Sequence, residues 1–253
     1  GTSMLGDFIS SEPIRYAEGF TIDHAEDYTR VTILNPWSNA SDPYETYFLY
    51  RNDSILPLLP SEGVKLKTPL TSLAVNTFSY FSFLELLGEM DVISGVTDGF
   101  RIYHPGILEK IERGDIVDLG DPFQPDIERT MALKPQAVIN SAYAQLDRYS
   151  ERLLQAGFPV IYSLEWMETS PLARAEWIKL MAAFFDKREA GDSLFNAIEQ
   201  EYLQLRDKVE AVDKKSVLAG DIFQDTWYVP GGNSFNAKLF RDAGLDYRYQ
   251  DNN

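Results

Sequence analysis

The sequence has no cysteine and only two histidines, His24 and His104, among its 253 residues. Without cysteine the chain has no thiol nucleophile, no zinc–thiolate site and no iron–sulfur cluster, and it is compatible with an oxidising compartment. A zinc or manganese site would need several histidines together with carboxylates. We therefore predict no metal site. Coordination of bare ferric ion by some of the 14 tyrosines is a weaker alternative.

Positive charge is also scarce. The 23 lysines and arginines stand against 39 aspartates and glutamates, which gives a net charge of −16. A field of that sign repels phosphate backbones and anionic lipid surfaces, so we exclude nucleic-acid binding. No apolar run approaches the roughly 18 residues that a membrane-spanning helix needs. The apolar content of 44% is typical of a folded globular chain.

Recognisable catalytic motifs are missing as well. Neither histidine lies near a nucleophile elbow, so a Ser-His-Asp arrangement is not predicted. The glycine pair Gly231 and Gly232 lacks the lysine and the spacing of a phosphate-binding loop, and we interpret it as a turn. We predict no catalytic residue. Paired carboxylates leave no short-range signature, so a carboxylate-based hydrolase such as a glycosidase stays open as an alternative.

Two hydrophobic patterns divide the first part of the chain. Residues 20–53 carry β-branched and aromatic runs broken at prolines, which predicts a β-meander. From Leu70 to residue 186, short apolar runs alternate with helical periods, which is typical of parallel α/β units with crossover helices. The predicted helix starts are Asn76 or Thr77, Asp126, Tyr149 and Ser170. We therefore predict an N-terminal α/β lobe over residues 14–186.

A long apolar stripe follows this lobe. Its residues recur at spacings of three and four along about 23 residues, or roughly 35 Å of helix; they are Leu194, Ile198, Tyr202, Leu205, Val209 and Val212. We predict a bridging helix over residues 187–213. Two strands and a helix capped by Asn233 or Ser234 are predicted after it. Residues 214–253 fall short of the about 100 residues of an independent unit, so we expect an incomplete second α/β lobe.

Three stretches of the sequence resemble one family. Residues 73–96 look like its first strand, helix and second strand, and residues 126–139 are similar to its motif n-x-E-x-ilalkPDlVi, with Gln136 where an aspartate is usual. Residues 165–178 resemble the segment E-x-x-E-x-x-P-l-g-r-a-E-W-i of a branch common in Bacteroidetes-type sequences. The family is that of the periplasmic substrate-binding proteins of ABC importers for iron chelates, haem and cobalamin, in the class with a rigid helical backbone.

The resemblance implies a function and a location. It implies two lobes with the ligand between them, an extracytoplasmic and lipid-anchored monomer, and a partner ABC permease in the cytoplasmic membrane. The expected ligand is a siderophore-type iron chelate, with cobalamin (a corrinoid) or haem as alternatives, carried as a transported ligand and not as a covalent cofactor. Residues 1–4 look like added residues, and we expect any export signal to have been removed already. A non-transporting surface or partner-binding protein is a further alternative.

One exposed glutamate is a candidate for docking. Glu128 lies in the first turn of its predicted helix, where the helix dipole favours a carboxylate, and the sequence alone favours a solvated capping residue. The resemblance implies instead that Glu128 docks on an arginine pocket of the permease. Its counterpart on the other lobe is expected beyond Asn253.

Residues that follow the predicted strands are candidates for ligand binding. Ligands bind outside the carboxyl ends of parallel strands, and aromatic faces with an arginine suit a planar or anionic chelate. For any single aromatic residue, loop packing is the alternative. The predicted ligand-binding residues are Asn76, Thr77, Phe78, Phe100, Arg101, Tyr103, His104, Tyr143, Glu165, Trp166, Trp227, Tyr228 and Asn233.

Overall fold

The chain opens with a five-stranded sheet. A computed structural model describes residues 5–38, 42–210 and 213–252, so residues 1–4 and Val212 of the predicted helical stripe lie outside the described residues. The strands, in sheet order, are β1 (Ser10–Ser11), β2 (Phe20–His24), β3 (Tyr28–Leu34), β4 (Pro43–Tyr50) and β5 (Val64–Lys67). Neighbours are antiparallel except β4 and β5, which are parallel. The predicted N-terminal meander is confirmed, and β5 adds a strand that the pattern does not show.

A second sheet is entirely parallel. Its strands are β6 (Leu73–Val75), β7 (Ile93–Val96), β8 (Val117–Asp118), β9 (Ala137–Ser141) and β10 (Val160–Ser163), in the spatial order β10, β9, β6, β7, β8. The helices of this region are α1 (Ser79–Leu86), α2 (Pro105–Arg113), α3 (Ile127–Leu133), α4 (Arg148–Gln155) and α5 (Pro171–Ala183). The predicted parallel sheet with crossover helices is confirmed, and it contains in addition α2 and β8, which were not predicted.

Two of the predicted helix starts are capped as expected. The side chain of Asp126 accepts the backbone N–H three residues further on at 3.0 Å and begins α3. Ser170 does the same for α5 at 3.2 Å, with Pro171 in the first turn. Each cap satisfies a donor that has no partner inside the helix.

The predicted start of α1 is wrong. This helix begins at Ser79, and Phe78 precedes it without a capping side chain. The two predicted capping residues have other partners, because the amide of Asn76 donates to Tyr149 and the hydroxyl of Thr77 bonds to that of Ser79.

The main core joins the two sheets through α5. Trp177 on α5 is fully buried, and its ring lies 5.0 Å from that of Phe20 on β2. Tyr47 on β4 is also fully buried, and its hydroxyl donates to the carbonyl of Val160 at 2.8 Å. Burial of rings of this size supplies much of the favourable free energy of folding. The first sheet is therefore part of the same hydrophobic core as the second sheet.

Two buried carboxylates fasten the segment that leads into β2. The carboxylate of Glu176 on α5 accepts the backbone N–H groups of Arg15, Tyr16 and Ala17 at 2.7–2.9 Å. Glu168 accepts the N–H of Gly19 at 2.9 Å. A Cβ at Gly19 would lie 2.7 Å from the ring of Trp177, so a side chain has no room there. We call this set of contacts the carboxylate clamp.

Gln136 departs from the family motif for a local reason. Its side-chain oxygen accepts the backbone N–H of Thr71 at 2.9 Å, and its side-chain nitrogen donates to the carbonyl of Lys67 at 2.7 Å. A carboxylate at this position would have no hydrogen to donate to that carbonyl. Gln136 thus joins the start of β9 to the connection between β5 and β6.

The C-terminal part begins with the longest helix, α6 (Arg188–Glu210), which packs on α5. The elements after it are β11 (Lys215–Val217), β12 (Asp221–Phe223), β13 (Thr226–Tyr228), α7 (Phe235–Asp242) and β14 (Leu245–Tyr247). β11 and β14 form a parallel pair around α7, and β12 and β13 form a hairpin. Ser234 caps α7. Of the helices in the described part of the chain, none is both long and apolar enough to cross a membrane.

Candidate functional site

The order of the parallel strands creates a crevice at one edge of the second sheet. From β6 the chain moves to β7 and β8 on one side, and it returns to β9 and β10 on the other side. The loops that leave β6 and β9 therefore diverge at the carboxyl ends of two neighbouring strands. Such a switch point is the usual ligand site of an open parallel sheet.

A cleft of about 240 Å³ lies at this switch point. Five of the predicted binding residues line it together: Asn76, Thr77, Phe78, Arg101 and Tyr143. Phe78 and Tyr143 keep 44% and 41% of their surface exposed, so both rings are available to a ligand. Candidate residues from three loops, those after β6, β7 and β9, are thus brought to one place.

Other lining residues are not among the predicted ones. Thr97 and Asp98 directly follow β7, and Asn140 lies within β9. The expectation that ligands bind at the carboxyl ends of parallel strands, which we call the rule of strand ends, applies equally to Thr97 and Asp98. Phe123, which is 80% exposed, also lines the cleft. It belongs to the connection between β8 and α3, and it could not be placed at the cleft from the sequence because β8 was not predicted.

A directed chain of hydrogen bonds holds Asn76 in the cleft. The hydroxyl of Thr130 donates to the carbonyl of Asp126 at 2.8 Å, so the hydroxyl of Tyr149 donates to Thr130 at 2.9 Å. The side-chain nitrogen of Asn76 then donates to the Tyr149 hydroxyl at 3.4 Å. This leaves Oδ1 of Asn76 buried with no partner in the described structure. Burial raises the pKa of Tyr149. Its hydroxyl therefore stays protonated, as this series of hydrogen bonds requires.

Arg101 brings a positive charge to the cleft of a molecule whose net charge is −16. Its Nη1 lies 3.4 Å from Oδ2 of Asp98, and its side chain is 64% exposed. Its guanidinium also lies 5.9 Å from the ring centre of Phe100. A guanidinium held this loosely is free to pair with an anionic ligand. Asp98 is the one carboxylate among the described residues that line the cleft.

Three other predicted residues follow β7 but are not among the lining residues. Phe100 and Tyr103 are 81% and 88% exposed on the surface beside Arg101. His104 begins α2, because its Nδ1 accepts the N–H of Ile107 at 3.3 Å. Its Nε2 lies 3.0 Å from a carboxylate oxygen of Glu85 on α1. The structure thus gives His104 a structural role.

The two predicted residues after β10 differ from each other. Glu165 is buried, and it accepts hydrogen bonds from the hydroxyls of Ser79, at 2.6 Å, and Ser163. Trp166 is 40% exposed, and its ring centre lies 6.5 Å from that of Tyr143. Trp166 therefore continues the aromatic wall of the cleft, whereas Glu165 supports α1 from within.

The predicted residues of the C-terminal part do not line the cleft. Trp227 and Tyr228 are exposed on the β12–β13 hairpin, where their ring contacts are with Tyr249 and Phe223. Asn233 is exposed just before the cap of α7. Across residues 5–38, 42–210 and 213–252, no group of three or more metal-ligating side chains could hold a metal ion.

Glu128 is displayed on the surface. It lies in the first turn of α3 with 79% of its side chain exposed. One carboxylate oxygen lies 3.2 Å from Arg152 of α4, a pair too exposed to hold the side chain firmly. The carboxylate is accessible to a partner.

A family model agrees with this arrangement. The model described as "Periplasmic binding protein" matches residues 74–253, which include both walls of the cleft and Glu128. The chain belongs to the periplasmic binding protein family. The family resemblance seen in the sequence is confirmed, while its assignment to a Bacteroidetes-type branch stays a prediction. Residues before 74, with the whole first sheet, lie outside the matched part.

A curated relative and several solved structures are similar to this periplasmic binding protein chain. An uncharacterised lipoprotein of Methanocaldococcus jannaschii is 24% identical over 95% of this chain and 62% of its own length. The chain therefore spans about three-fifths of that relative. A second uncharacterised lipoprotein of the same organism is 26% identical over 58% of this chain and 41% of its own length.

Solved periplasmic binding proteins share the fold. The vitamin B12 binding protein of Vibrio cholerae has a TM-score of 0.54 and 16% identity, over 72% of this chain and 68% of its own. The petrobactin-binding protein of Bacillus subtilis has a TM-score of 0.56 and 20% identity, over 74% and 63%. The haem binding protein of Vibrio cholerae has a TM-score of 0.56 and 15% identity, over 71% and 66%.

Proposed function

We propose that this chain captures a siderophore-type iron chelate outside the cytoplasm and delivers it to an ABC permease. The observation that supports this most is the cleft at the strand switch point, where the exposed rings of Phe78, Phe123 and Tyr143 stand beside Arg101. Ring faces suit the flat organic part of a chelate, and a guanidinium suits its negative charge. The lipoprotein relatives favour an extracytoplasmic, membrane-anchored receptor.

Binding to a panel of chelates tests the proposal. Ferric enterobactin, ferrioxamine B, cyanocobalamin and haem are added separately to the purified chain, and tryptophan fluorescence is followed. Trp166 reports on the site because its ring lies 6.5 Å from that of Tyr143. We expect saturable quenching by at least one ferric chelate. Quenching by cyanocobalamin or haem alone would make the chain a cobalamin or haem receptor, and no response to any of the four would overturn the proposal.

The first prediction is that the charge of Arg101 contributes to chelate binding. We expect Arg101→Ala to weaken binding of an anionic ferric chelate by roughly tenfold, because a charge-assisted contact contributes about 1.5 kcal/mol or more. Arg113→Ala is the matched control, since Arg113 is similarly exposed and pairs with Glu109 and Asp115 on α2 and its flank. Equal affinities of the two variants for the chelate would show that Arg101 does not contribute to binding.

The second prediction is that Glu128 takes part in docking on the permease and not in chelate binding. We expect Glu128→Lys to leave chelate affinity unchanged and to reduce uptake of the chelate by cells that carry the variant, because reversed charge would repel a basic pocket on the permease. Glu109→Lys is the control, as Glu109 is a 67% exposed helical glutamate outside the cleft. Uptake is measured with radioactive iron. An equal loss of affinity and uptake in Glu128→Lys would contradict the docking role.

A further inference from the structure

A row of exposed rings leads away from the cleft. It consists of Tyr143, Trp166 and Trp37, with 6.5 Å between the first two ring centres and 6.3 Å between the last two. Tyr143 lines the cleft, so the row starts at the wall of the candidate site and extends beyond it. We call this set the aromatic row.

The aromatic row combines the two sheets. Trp37 follows β3 of the first sheet, whereas Tyr143 and Trp166 follow β9 and β10 of the second sheet. Tyr44 on β4 ties them together, because its hydroxyl donates to the carbonyl of Tyr143 at 2.9 Å and its ring lies 5.9 Å from that of Trp37. The outer ring of the row is thus held in place by the sheet that lies outside the family match.

The rings of the row remain accessible. Trp37, Tyr143 and Trp166 keep 37%, 41% and 40% of their surface exposed, and their ring contacts make them one exposed aromatic patch. Tyr44 next to them packs edge-on against Tyr162 at 5.0 Å. A continuous exposed aromatic surface that joins a cleft suits flat ligand groups, and its continuity with the cleft indicates that one ligand covers both.

We propose that the aromatic row is a second subsite, which takes an additional aryl group of a chelate whose anionic centre lies beside Arg101. The substrate class is then a ferric chelate with several aryl groups, such as a tricatecholate. This inference rests on the proposed function. It also gives the first sheet a part in ligand selection, through Trp37.

Affinities of a Trp37 variant for two chelates test this subsite. We expect Trp37→Ala to weaken binding of ferric enterobactin, which has three aryl rings, by about 3- to 10-fold, the range for loss of one ring contact. Binding of ferrioxamine B, a hydroxamate without aryl groups, should not change. Phe8→Ala is the matched control, because Phe8 is a 39% exposed ring whose ring contact is Tyr28, outside the row. Thermal unfolding of both variants shows whether each is folded.

A second measurement does not depend on removing Trp37. In the variant Trp166→Phe/Trp227→Phe, the remaining tryptophans are Trp37 and the fully buried Trp177. We expect ferric enterobactin to quench the emission of this variant and ferrioxamine B to quench it weakly. An equally strong effect of both chelates would overturn the subsite.

The outcomes separate the two proposals. Binding of none of the four ligands would overturn the receptor function itself. Binding of ferric chelates with no effect of Trp37→Ala on ferric enterobactin would leave the receptor standing and overturn the subsite. Binding of haem or cyanocobalamin in place of ferric enterobactin would overturn the aryl-chelate class.

Discussion

At the scale of single residues, the two carboxylates of the clamp behave in opposite ways. Burial is the largest effect on both, and it raises the pKa of a carboxyl group because it disfavours the charged form. In Glu168, burial outweighs the hydrogen bonds from Trp177 and the backbone, so its pKa is raised from 4.5. In Glu176, hydrogen bonds from three backbone N–H groups and from Lys179 outweigh burial, so its pKa is lowered from 4.5.

The opposite pKa shifts predict opposite pH dependences of stability. Because the folded pKa of Glu176 is lowered, its stabilising contribution is present above 4.5 and is lost as the pH falls through the folded pKa. Because the folded pKa of Glu168 is raised, its contribution is present below 4.5 and is lost as the pH rises through the folded pKa. We expect Glu176→Gln to become less stable relative to the wild type as the pH rises toward 4.5. We expect Glu168→Gln to become more stable relative to the wild type as the pH rises above 4.5.

Urea unfolding between about pH 3 and 7 measures these differences, since each protonation shift appears as a slope in the free energy of unfolding. Glu109→Gln is the control, because it removes one exposed carboxylate from the same acidic chain. For each variant, the difference in free energy of unfolding from the wild type is plotted against pH. If this difference changed in the same direction for Glu168→Gln and Glu176→Gln, the opposite pKa shifts of the two carboxyl groups would be contradicted.

At the scale of elements, α6 connects the main core to the C-terminal part. Phe195 near its start is fully buried, and Leu205 further along is 55% exposed. The hydroxyl of Tyr202 donates to Asp242 at the end of α7 at 2.8 Å, and both burial and that aspartate raise the pKa of Tyr202. Gly244 turns with a φ of +73° close to Val209, where a Cβ would lie 3.0 Å from the backbone oxygen. These few contacts hold α7 on the second half of α6.

The contact between Tyr202 and Asp242 leads to a prediction about α7. We expect Tyr202→Phe to cost about 1 kcal/mol locally and to speed amide hydrogen exchange in α7, while β6 to β10 stay protected. Tyr249→Phe is the control, since the ring contacts of Tyr249 are with Trp227 and Tyr247 and involve neither α6 nor α7. Unchanged exchange in α7, or an equal effect of both variants, would show that this hydrogen bond does not hold the helix.

The elements predicted from the sequence are those with a local signal. Helix α5 has Ser170 and Pro171 at its start, and α6 has a long apolar stripe. Helix α2 also has a proline in its first turn, Pro105, and ends at Gly114, and these signals were missed because its cap is the imidazole of His104 and only Ile107 among its residues is fully buried. Strand β8 has two residues, too few to show an alternating pattern.

The same distinction applies to the candidate site. The rule of strand ends brings Asn76, Arg101 and Tyr143 together, because it needs only strand positions and the parallel order. It does not predict Trp37, whose neighbour Trp166 lies far away in the chain and is reached through packing of one sheet on the other. It also does not predict that Oδ1 of Asn76 is left without a partner, which depends on Tyr149 and Thr130.

At the scale of the whole molecule, the net charge of −16 opposes the approach of an anionic ligand. At low salt this repulsion acts over long distances, and at 0.1 M salt it is screened beyond about 10 Å. Arg101, by contrast, acts on a ligand that is already in contact. The global field and the cleft therefore act against each other on an anionic chelate.

This opposition predicts an unusual dependence on salt. We expect the association rate of ferric enterobactin, a trianion, to rise roughly 2- to 5-fold between low and physiological salt, because screening removes the repulsion. Stopped-flow fluorescence measures this rate, and ferrioxamine B, a cation, is the control whose rate should fall. A decrease for ferric enterobactin would mean that local attraction by Arg101 dominates over the net charge.

The carboxylate clamp also has a consequence for the order in which the molecule is assembled. The backbone N–H of Arg15 and the carboxylate of Glu176 are separated by 161 residues. At about 5–20 residues per second, synthesis of the chain from one to the other takes on the order of ten seconds or more. During that interval the apolar face of β2 has no Trp177 to pack against. The first sheet is thus synthesised before the helix on which it packs, and its apolar face stays uncovered until α5 has been made.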